Sequence, residues 1–288
     1  MILLDGKAVS LGIQETIKTE VRMRFTPETA PKLCVILVGE NPASASYVKT
    51  KCAMAQRLGF RHELHHFPAD VSSDQIEARI DALNADPDCD ALFVQLPLPK
   101  HLDSVALANR VRSEKDADGL TRASMGALLL GESHGFQPCT PRGIIRLLDA
   151  YGIELSGKEA VVVGRSNIVG KPMGVLLQQR HATVTTCHTK TLDLANHVKR
   201  ADILVAAVGV PHLIKGEWIK PGAVIVDAGF TKTADGTILG DVEFEAASLR
   251  ASHITPVPGG VGPMTVITLM AQTLHAALRR KTPSKSEN

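Results

Sequence analysis

The sequence predicts an α/β protein of two domains with open, mostly parallel sheets. Three observations carry that expectation. Short apolar runs alternate with segments whose apolar residues recur at helical spacing. The alternation occurs twice, before and after the breaker run Pro138-Cys139-Thr140-Pro141. The chain has 288 residues, 44% hydrophobic and 22% charged, enough for about two separate cores.

In chain order, Gly6 to about Phe25 carries Val9, Ile13, Ile17 and Val21 at helical spacing. Lys32–Val38 reads as a buried strand. Asn41-Pro42 reads as an N-cap followed by proline at the first helical position, opening a helix to about Leu58. Phe60–Phe67 is a weaker strand, and Ser73–Asn84 a helix with Asp74 and Glu77 near its positive end. Asp90–Leu96 is a buried strand ended by Pro97-Leu98-Pro99. In the second series Thr140 and Pro141 read as cap and first helical residue of a helix to about Tyr151. Strand Ala160–Val163, turn Gly164–Gly170 and helix Lys171–Arg180 follow. Ala182–Cys187, Ile203–Val208 and Ala223–Asp227 are further strands. Thr255–Pro263 holds three prolines and three glycines and reads as an ordered loop. A last helix, about Met264–Arg280, is expected to pack back on the first domain, and the polar tail Lys281–Asn288 to fray.

Composition excludes several classes of function. The net charge of +2 argues against a strongly basic nucleic-acid binder. With 3% aromatic residues there is little from which to build stacking platforms for single strands. The five cysteines are odd in number and scattered, without a CxxC pair. A disulfide framework or structural zinc site is therefore not expected, and a reducing, cytoplasmic setting is. Met1–Gly12 lacks the pattern of a secretory leader, and no apolar run reaches 18 residues, so no membrane span is expected.

The segment Val161–Gly170 reads as strand, glycine turn and helix start, a place where backbone N–H groups favour a phosphate. Its match to the dinucleotide fingerprint is loose, with Gly164, Ser166 and Val169 at the three glycine positions. The plainer reading is a tight turn between strand and helix. The next strand ends in Thr185-Thr186-Cys187-His188-Thr189-Lys190, which has no carboxylate for a ribose 2′-hydroxyl. Hydroxyl and cationic groups there, with Arg165 in the turn, suit a 2′-phosphate, so NADP is preferred over NAD. The plainer reading of Arg165 and Lys190 is ordinary surface charge.

Tyr47 and Lys51 lie one turn apart on one helix face. A lysine there can carry a proton while a phenol orients it. A surface lysine beside a half-buried tyrosine is the plainer alternative. Gln95 closes an apolar strand, where ligands collect in parallel sheets. In Asp116-Ala117-Asp118-Gly119 a carboxylate could take two N–H groups of an aminopyrimidine-like edge; otherwise this is an acidic turn. His62, His65 and His66 lack a metal-binding frame, because alternation along a strand divides them between two faces. Cys52 has no histidine partner in view and reads as a structural thiol.

Seven segments, in order, resemble one family closely. They are 38–44 (Val-Gly-Glu-Asn-Pro-Ala-Ser), 47–51 (Tyr-Val-Lys-Thr-Lys), 94–99 (Val-Gln-Leu-Pro-Leu-Pro), 115–119 (Lys-Asp-Ala-Asp-Gly), 138–143 (Pro-Cys-Thr-Pro-Arg-Gly), 164–172 (Gly-Arg-Ser-Asn-Ile-Val-Gly-Lys-Pro) and 256–265 (Pro-Val-Pro-Gly-Gly-Val-Gly-Pro-Met-Thr). The family is the bifunctional methylenetetrahydrofolate dehydrogenase/methenyltetrahydrofolate cyclohydrolases, and the resemblance runs from about Asp5 to Leu278. It implies NADP-dependent oxidation of 5,10-methylenetetrahydrofolate, then hydrolysis of the methenyl product to 10-formyltetrahydrofolate. It implies Lys51 as the proton-transfer residue, Tyr47 stacked near the folate, Gln95 tuning Lys51 and Asp118 on the pterin edge. Leu96, Pro97 and the loop with Pro258, Gly259, Gly262 and Pro263 would contact folate. Gly164, Arg165, Ser166 and Thr189 would bind NADP, with Phe230 next to the nicotinamide. It further implies a folate-binding catalytic domain at 1–137 plus 264–288, a Rossmann-type NADP-binding domain at 138–263 with a cleft between them, a homodimer, and a role in one-carbon supply for purine, methionine and histidine synthesis. No metal, nucleic-acid or membrane partner is implied.

Three departures stand out. Ser124 and Ala127 replace the usual Asn and Arg, Phe230-Thr231 replaces Ile-Asn, and Ala117 replaces Val. Two further readings share the architecture: a shikimate-dehydrogenase-like enzyme, which does not account for the 256–263 loop, and a non-catalytic NADP-binding sensor, from which loss of Lys51 or Asp118 would be expected. A dehydrogenase with a weak hydrolytic step is a third, within the family.

Overall fold

The computed structural model describes residues 1–132, 135–233 and 235–281. Met1–Gly12 and Pro138–Thr265 make one unit; Ile13–Gln137 and the chain from Val266 make the other. The expected fraying of the tail lies outside the described residues.

The unit built from Ile13–Gln137 holds a three-stranded parallel sheet in the order Arg61–Phe67, Lys32–Val38, Ala91–Val94. Lys32–Val38 takes the centre because it is apolar on both faces and buried along nearly its whole length. Arg61–Phe67 is mostly polar, alternates half-buried and exposed residues, and takes an edge. Helices Pro42–Arg57 and Ser73–Ala85 make the crossovers. As the sequence predicts, Asn41 caps the first, its side chain accepting the Ser44 N–H at 3.0 Å, with Pro42 at the first helical position. Ile76, Ile80 and Leu83 of the second pack on Cys34, Ile36, Leu92 and Val94. The long C-terminal helix, Val261–Lys281, joins this core beyond Thr265. Arg280 there meets the buried Asp90 at 2.6 Å, and the same carboxylate takes the Lys32 N–H at 2.8 Å.

The other unit is a six-stranded parallel sheet in the order Ile2–Leu3, His253–Ile254, Val224–Asp227, Ile203–Ala206, Glu159–Val163, Thr183–Cys187. Val161, Val163, Leu204, Ala206 and Ile225 form the heart of its core. In each sheet the first strand of its αβ series is flanked by the next two, so the winding reverses there. Crevices at the carboxyl ends of such strands are where open α/β sheets bind ligands. The reversal strands are Lys32–Val38 and Glu159–Val163.

Several boundaries differ from the sequence reading. Residues 1–12 group with 138–265 rather than with the residues that follow them, because Ile2 and Leu3 pair with His253 and Ile254. The helix expected to start at Pro141 starts at Cys139, and the Thr140 hydroxyl instead meets that of Thr265 at 3.0 Å. The last helix begins at Val261 rather than Met264, which puts Gly262 and Pro263 in its first turn. A proline is tolerated there because first-turn N–H groups have no helical partner. Helices Ser104–Asn109, Arg122–Leu130 and Leu194–Arg200 were not expected; two are short, and the third spans only nine residues. Val261–Lys281 is, by length and composition, long and apolar enough to cross a bilayer, although no uninterrupted apolar run announces it. In this structure 61% of its most apolar window is buried in the protein.

Candidate active site

Lys51 sits on helix Pro42–Arg57, on the face that turns inward with Ser44, Val48 and Ala55. It is only 8% exposed, so its ammonium needs partners. Two are present. The Nζ donates to Gln95 Oε1 at 3.3 Å and lies 4.0 Å from the centroid of the Phe93 ring. A cation over a desolvated ring gains about 2 kcal/mol. Gln95 is fixed in turn: its Nε2 donates to the Leu96 carbonyl at 2.7 Å and its backbone N–H to Ile36 at 2.8 Å. The amide oxygen is thereby left facing the lysine. Tyr47, one turn earlier, keeps its ring partly exposed, and burial of the remainder pushes its phenol above the usual range. The strand Ala91–Val94 runs into Gln95, Leu96 and Pro97 across a cis Leu96–Pro97 bond.

Asp118 lines a small pocket with Phe93, Val94 and Leu96, which brings it to the same end of the sheet as Lys51. Its carboxylate makes no hydrogen bond or ion pair among the described residues. Asp116, by contrast, is buried and fully engaged. It accepts the backbone N–H groups of Gly119, Leu120 and Thr121 at 3.0, 3.2 and 2.8 Å, and the Ser124 hydroxyl at 2.6 Å. Burial nonetheless raises its pKa above the ordinary value, the hydrogen bonds opposing. Of the two acids in this turn, then, one holds the loop and the other is presented. Sequence reasoning did not find the holding role of Asp116; an Asp three residues before Gly, as in an Asx-type turn, was the available signal.

In the other unit the turn after Glu159–Val163 has the stereochemistry of a phosphate cradle. Gly164 has φ +125°, and a Cβ there would lie 2.2 Å from the Ala207 carbonyl oxygen. A Cβ at Gly170 would lie 2.2 Å from the Gly164 carbonyl oxygen. Both positions need glycine for the helix Gly170–Gln179 to start close to the strand. The Ser166 hydroxyl accepts the N–H groups of Val169 and Gly170 at 3.1 and 3.4 Å, so it shapes the turn as well as facing outward. Arg165 is exposed and unpaired among the described residues. Thr189 is exposed in the turn closing strand Thr183–Cys187, where His188 and Thr191 bond each other's backbone.

Two buried carboxylates that sequence reasoning missed hold the neighbouring loops of this sheet. Asp241, fully buried, accepts the N–H groups of Val208, Gly209 and Val210 at 2.6, 3.1 and 2.9 Å. Asp227 accepts those of Gly229, Asp241 and Val242. Burial pushes Asp227 up to about 6, partly offset by these donors and reinforced by the Asp241 charge. Phe230, 44% exposed, follows this anchored turn. The Pro–Gly loop crosses a cis Val257–Pro258 bond, and its Gly259 carbonyl accepts the Lys7 N–H at 3.0 Å. Pro258 and Gly262 are exposed, Gly259 and Pro263 half-buried.

The histidine run divides as alternation requires: His62 and His66 face solvent and His65 faces in. His65 approaches Cys34 and Glu63, their ligand-type atoms all within 4.8 Å of one another. Glu63 is already paired with Lys32 at 2.9 Å, and that ammonium opposes a metal cation at the cluster.

These features define a class: a nucleotide-binding α/β unit together with an α/β unit that presents a buried Lys–Gln pair and an unpaired aspartate. The comparisons with known proteins make it particular. Residues 4–118 match the model of the tetrahydrofolate dehydrogenase/cyclohydrolase catalytic domain, and residues 138–281 that of the NAD(P)-binding domain of the same family. The chain is 51% identical to a bifunctional protein FolD of Myxococcus xanthus over 279 residues, 96% of each chain. It is also similar to the crystal structure of the bifunctional methylenetetrahydrofolate dehydrogenase/cyclohydrolase of Campylobacter jejuni, with TM-score 0.94, 42% identity and coverage of 97% and 99% of the two chains. The enzyme of Trypanosoma brucei, solved with NADP cofactor and an inhibitor, gives TM-score 0.94 at 39% identity, covering 98% and 99%. The chain belongs to the tetrahydrofolate dehydrogenase/cyclohydrolase family.

Proposed function

We propose that this chain oxidises 5,10-methylenetetrahydrofolate to the 5,10-methenyl form with NADP, and then hydrolyses that product to 10-formyltetrahydrofolate. The observation that carries the reading is the buried Lys51 ammonium held on Gln95 at a sheet's carboxyl end in a chain of this family. Hydrolysis needs a proton taken from the attacking water and one delivered to the departing ring nitrogen N5. Lys51 Nζ is the group to carry both. Gln95 Oε1 and the Phe93 ring steady the charged form, at about 1.5–3 kcal/mol for a hydrogen bond to a charged group. Tyr47 offers a partly exposed ring face for the flat methenyl system. Asp118 supplies acceptors for the N–H groups of the pterin's aminopyrimidine edge. Leu96, Pro97 and the segment with Pro258, Gly259, Gly262 and Pro263 are the proposed folate contacts.

NADP, when bound, accepts the hydride. Residues of the chain fit it. The Gly164 turn, where a side chain would strike the Ala207 carbonyl, sets the start of helix Gly170–Gln179 beside the strand end, where backbone N–H groups can face a diphosphate. The strand end at Thr183–Cys187 has no acid to oppose a 2′-phosphate, and Arg165 stands unpaired to meet one. Ser166, Thr189 and Phe230 complete the proposed contacts. We propose 1–137 with 264–288 as the folate-binding part and 138–263 as the NADP-binding part, apart from the first twelve residues noted above. A cytoplasmic setting without nucleic-acid or membrane partners is supported by the small net charge, scarce aromatics and scattered cysteines, and a homodimer by the family resemblance.

One assay tests this. Purified protein receives 5,10-methylenetetrahydrofolate with NADP or NAD, and NADPH formation and methenyl absorbance are followed separately. NADPH production without methenyl accumulation is expected. Persistent methenyl build-up favours a dehydrogenase with a feeble hydrolytic step, and no turnover with either cofactor overturns the proposal.

A further inference from the structure

Asp118 is held entirely through its neighbours. Its own carboxylate has no partner among the described residues, so its direction is set by the backbone on either side. On the amino side the Ala117 carbonyl accepts Gln272 Nε2 at 2.6 Å. On the carboxyl side the Gly119, Leu120 and Thr121 N–H groups end on Asp116. Both grips are buried: Asp116 is 3% exposed and Ala117 0%. Gln272 comes from the C-terminal helix, 155 residues away in sequence, and is itself locked by Gln137, which accepts from its Nε2 at 2.9 Å and donates to its Oε1 at 3.0 Å. Asp116 is locked by the Ser124 hydroxyl, which also accepts from Thr121 Oγ1 at 3.1 Å.

We infer that Asp116, Ser124 and Gln272 are positioning residues that aim Asp118 at the substrate. This rests on the proposed placement of Asp118 against the pterin edge. It also accounts for Ser124 at a position where the family usually has Asn: the hydroxyl supplies the one donor that the buried carboxylate still requires. Orientation matters because paired N–H groups demand an acceptor in their plane, and a tilt forfeits one of the two bonds.

The test is a double-mutant cycle in steady-state kinetics on the full chain. Gln272→Met keeps the bulk and removes both donors. It is expected to raise the KM for 5,10-methylenetetrahydrofolate about tenfold and leave the KM for NADP within about twofold. In an Asp118→Asn background the same substitution is expected to change the folate KM by less than about twofold, because there is no longer an aimed carboxylate to lose. A full tenfold effect in that background overturns the inference, as does a parallel rise in the NADP KM or an unchanged folate KM in the single variant. If Gln272→Met does not fold, Ser124→Ala takes its place in the same cycle with the same expectations. An Asp118→Asn enzyme with unaltered folate KM overturns the underlying placement of Asp118 instead, so the two failures are read apart.

Discussion

Lys51 illustrates how a single residue acquires a role from its surroundings. The ammonium is nearly buried, yet it has an amide oxygen and a ring face rather than a carboxylate. These neutral partners hold the side chain in place without an opposing charge. Lys51→Met is expected to lower cyclohydrolase turnover by at least about a hundredfold, the usual scale for a lost general acid–base. Circular dichroism and NADP binding should stay as in the parent. A variant that hydrolyses the methenyl compound at the parental rate would sink the proton-transfer role. Gln95→Ala is expected to leave Lys51 over Phe93 but without its anchor, lowering the same rate by a smaller factor, measured in the same assay. At this scale the sequence was legible where chemistry announces itself. Lys51, Gln95 and Asp118 draw notice by their types at helix face, strand end and turn, but each also has a plainer local reading, and the resemblance to the family supplies their proposed roles. Asp227 and Asp241 did not stand out, because most of the N–H groups they accept lie 14 to 33 residues away in sequence, and Asp116 was overlooked although its donors are local.

At the scale of elements, local rules decided most of the outcome. Asn41-Pro42 caps its helix as read, and strand Lys32–Val38 spans the expected residues. Errors gathered at helix starts, where a cap and a first-turn proline leave two or three registers nearly equivalent. Thr140 lost its capping role to a hydroxyl contact with Thr265, which no window of sequence around it contains. The glycine turn is the element on which cofactor choice depends. Its backbone suits any dinucleotide, whereas the proposed role of Arg165 is toward a 2′-phosphate alone. Arg165→Ala is therefore expected to weaken NADP by about tenfold or more and NAD by much less, by titration of each cofactor. Equal loss for the two would remove the 2′-phosphate role.

At the scale of the whole molecule, both units wind their sheets about a first strand, and each presents its candidate residues at carboxyl ends. The buried carboxylates that tie the nucleotide unit's loops bring a pH dependence. Asp227 is pushed up to about 6 from an ordinary value near 3.8, chiefly by burial. A carboxyl raised in the folded state binds its proton more tightly there than in the unfolded chain. Its contribution to stability is thus fully present below about pH 4 and lost as pH rises through about 6. The full span corresponds to about 3 kcal/mol. Asp227→Asn removes that slope. The difference in urea unfolding free energy between parent and variant is expected to drift in the parent's disfavour from pH 4 to 7, and a constant difference would contradict it.

Fold class, the alternation of the main strands and helices, the glycine turn and the residue types at the site were determined by the sequence alone. Periodicity, caps and turn chemistry act over a few residues, so they can be read from a few residues. Only the tertiary structure decided that the first twelve residues join the nucleotide unit, through two residues of parallel pairing with His253 and Ile254. Likewise, it alone decided which aspartate of Asp116-Ala117-Asp118 turns inward, and that Gln272 reaches across 155 residues to hold the loop between them. The long-range pairings depend on which distant donors remain unsatisfied once the core has packed, whereas Asp116 turns inward on donors only three to eight residues along the chain.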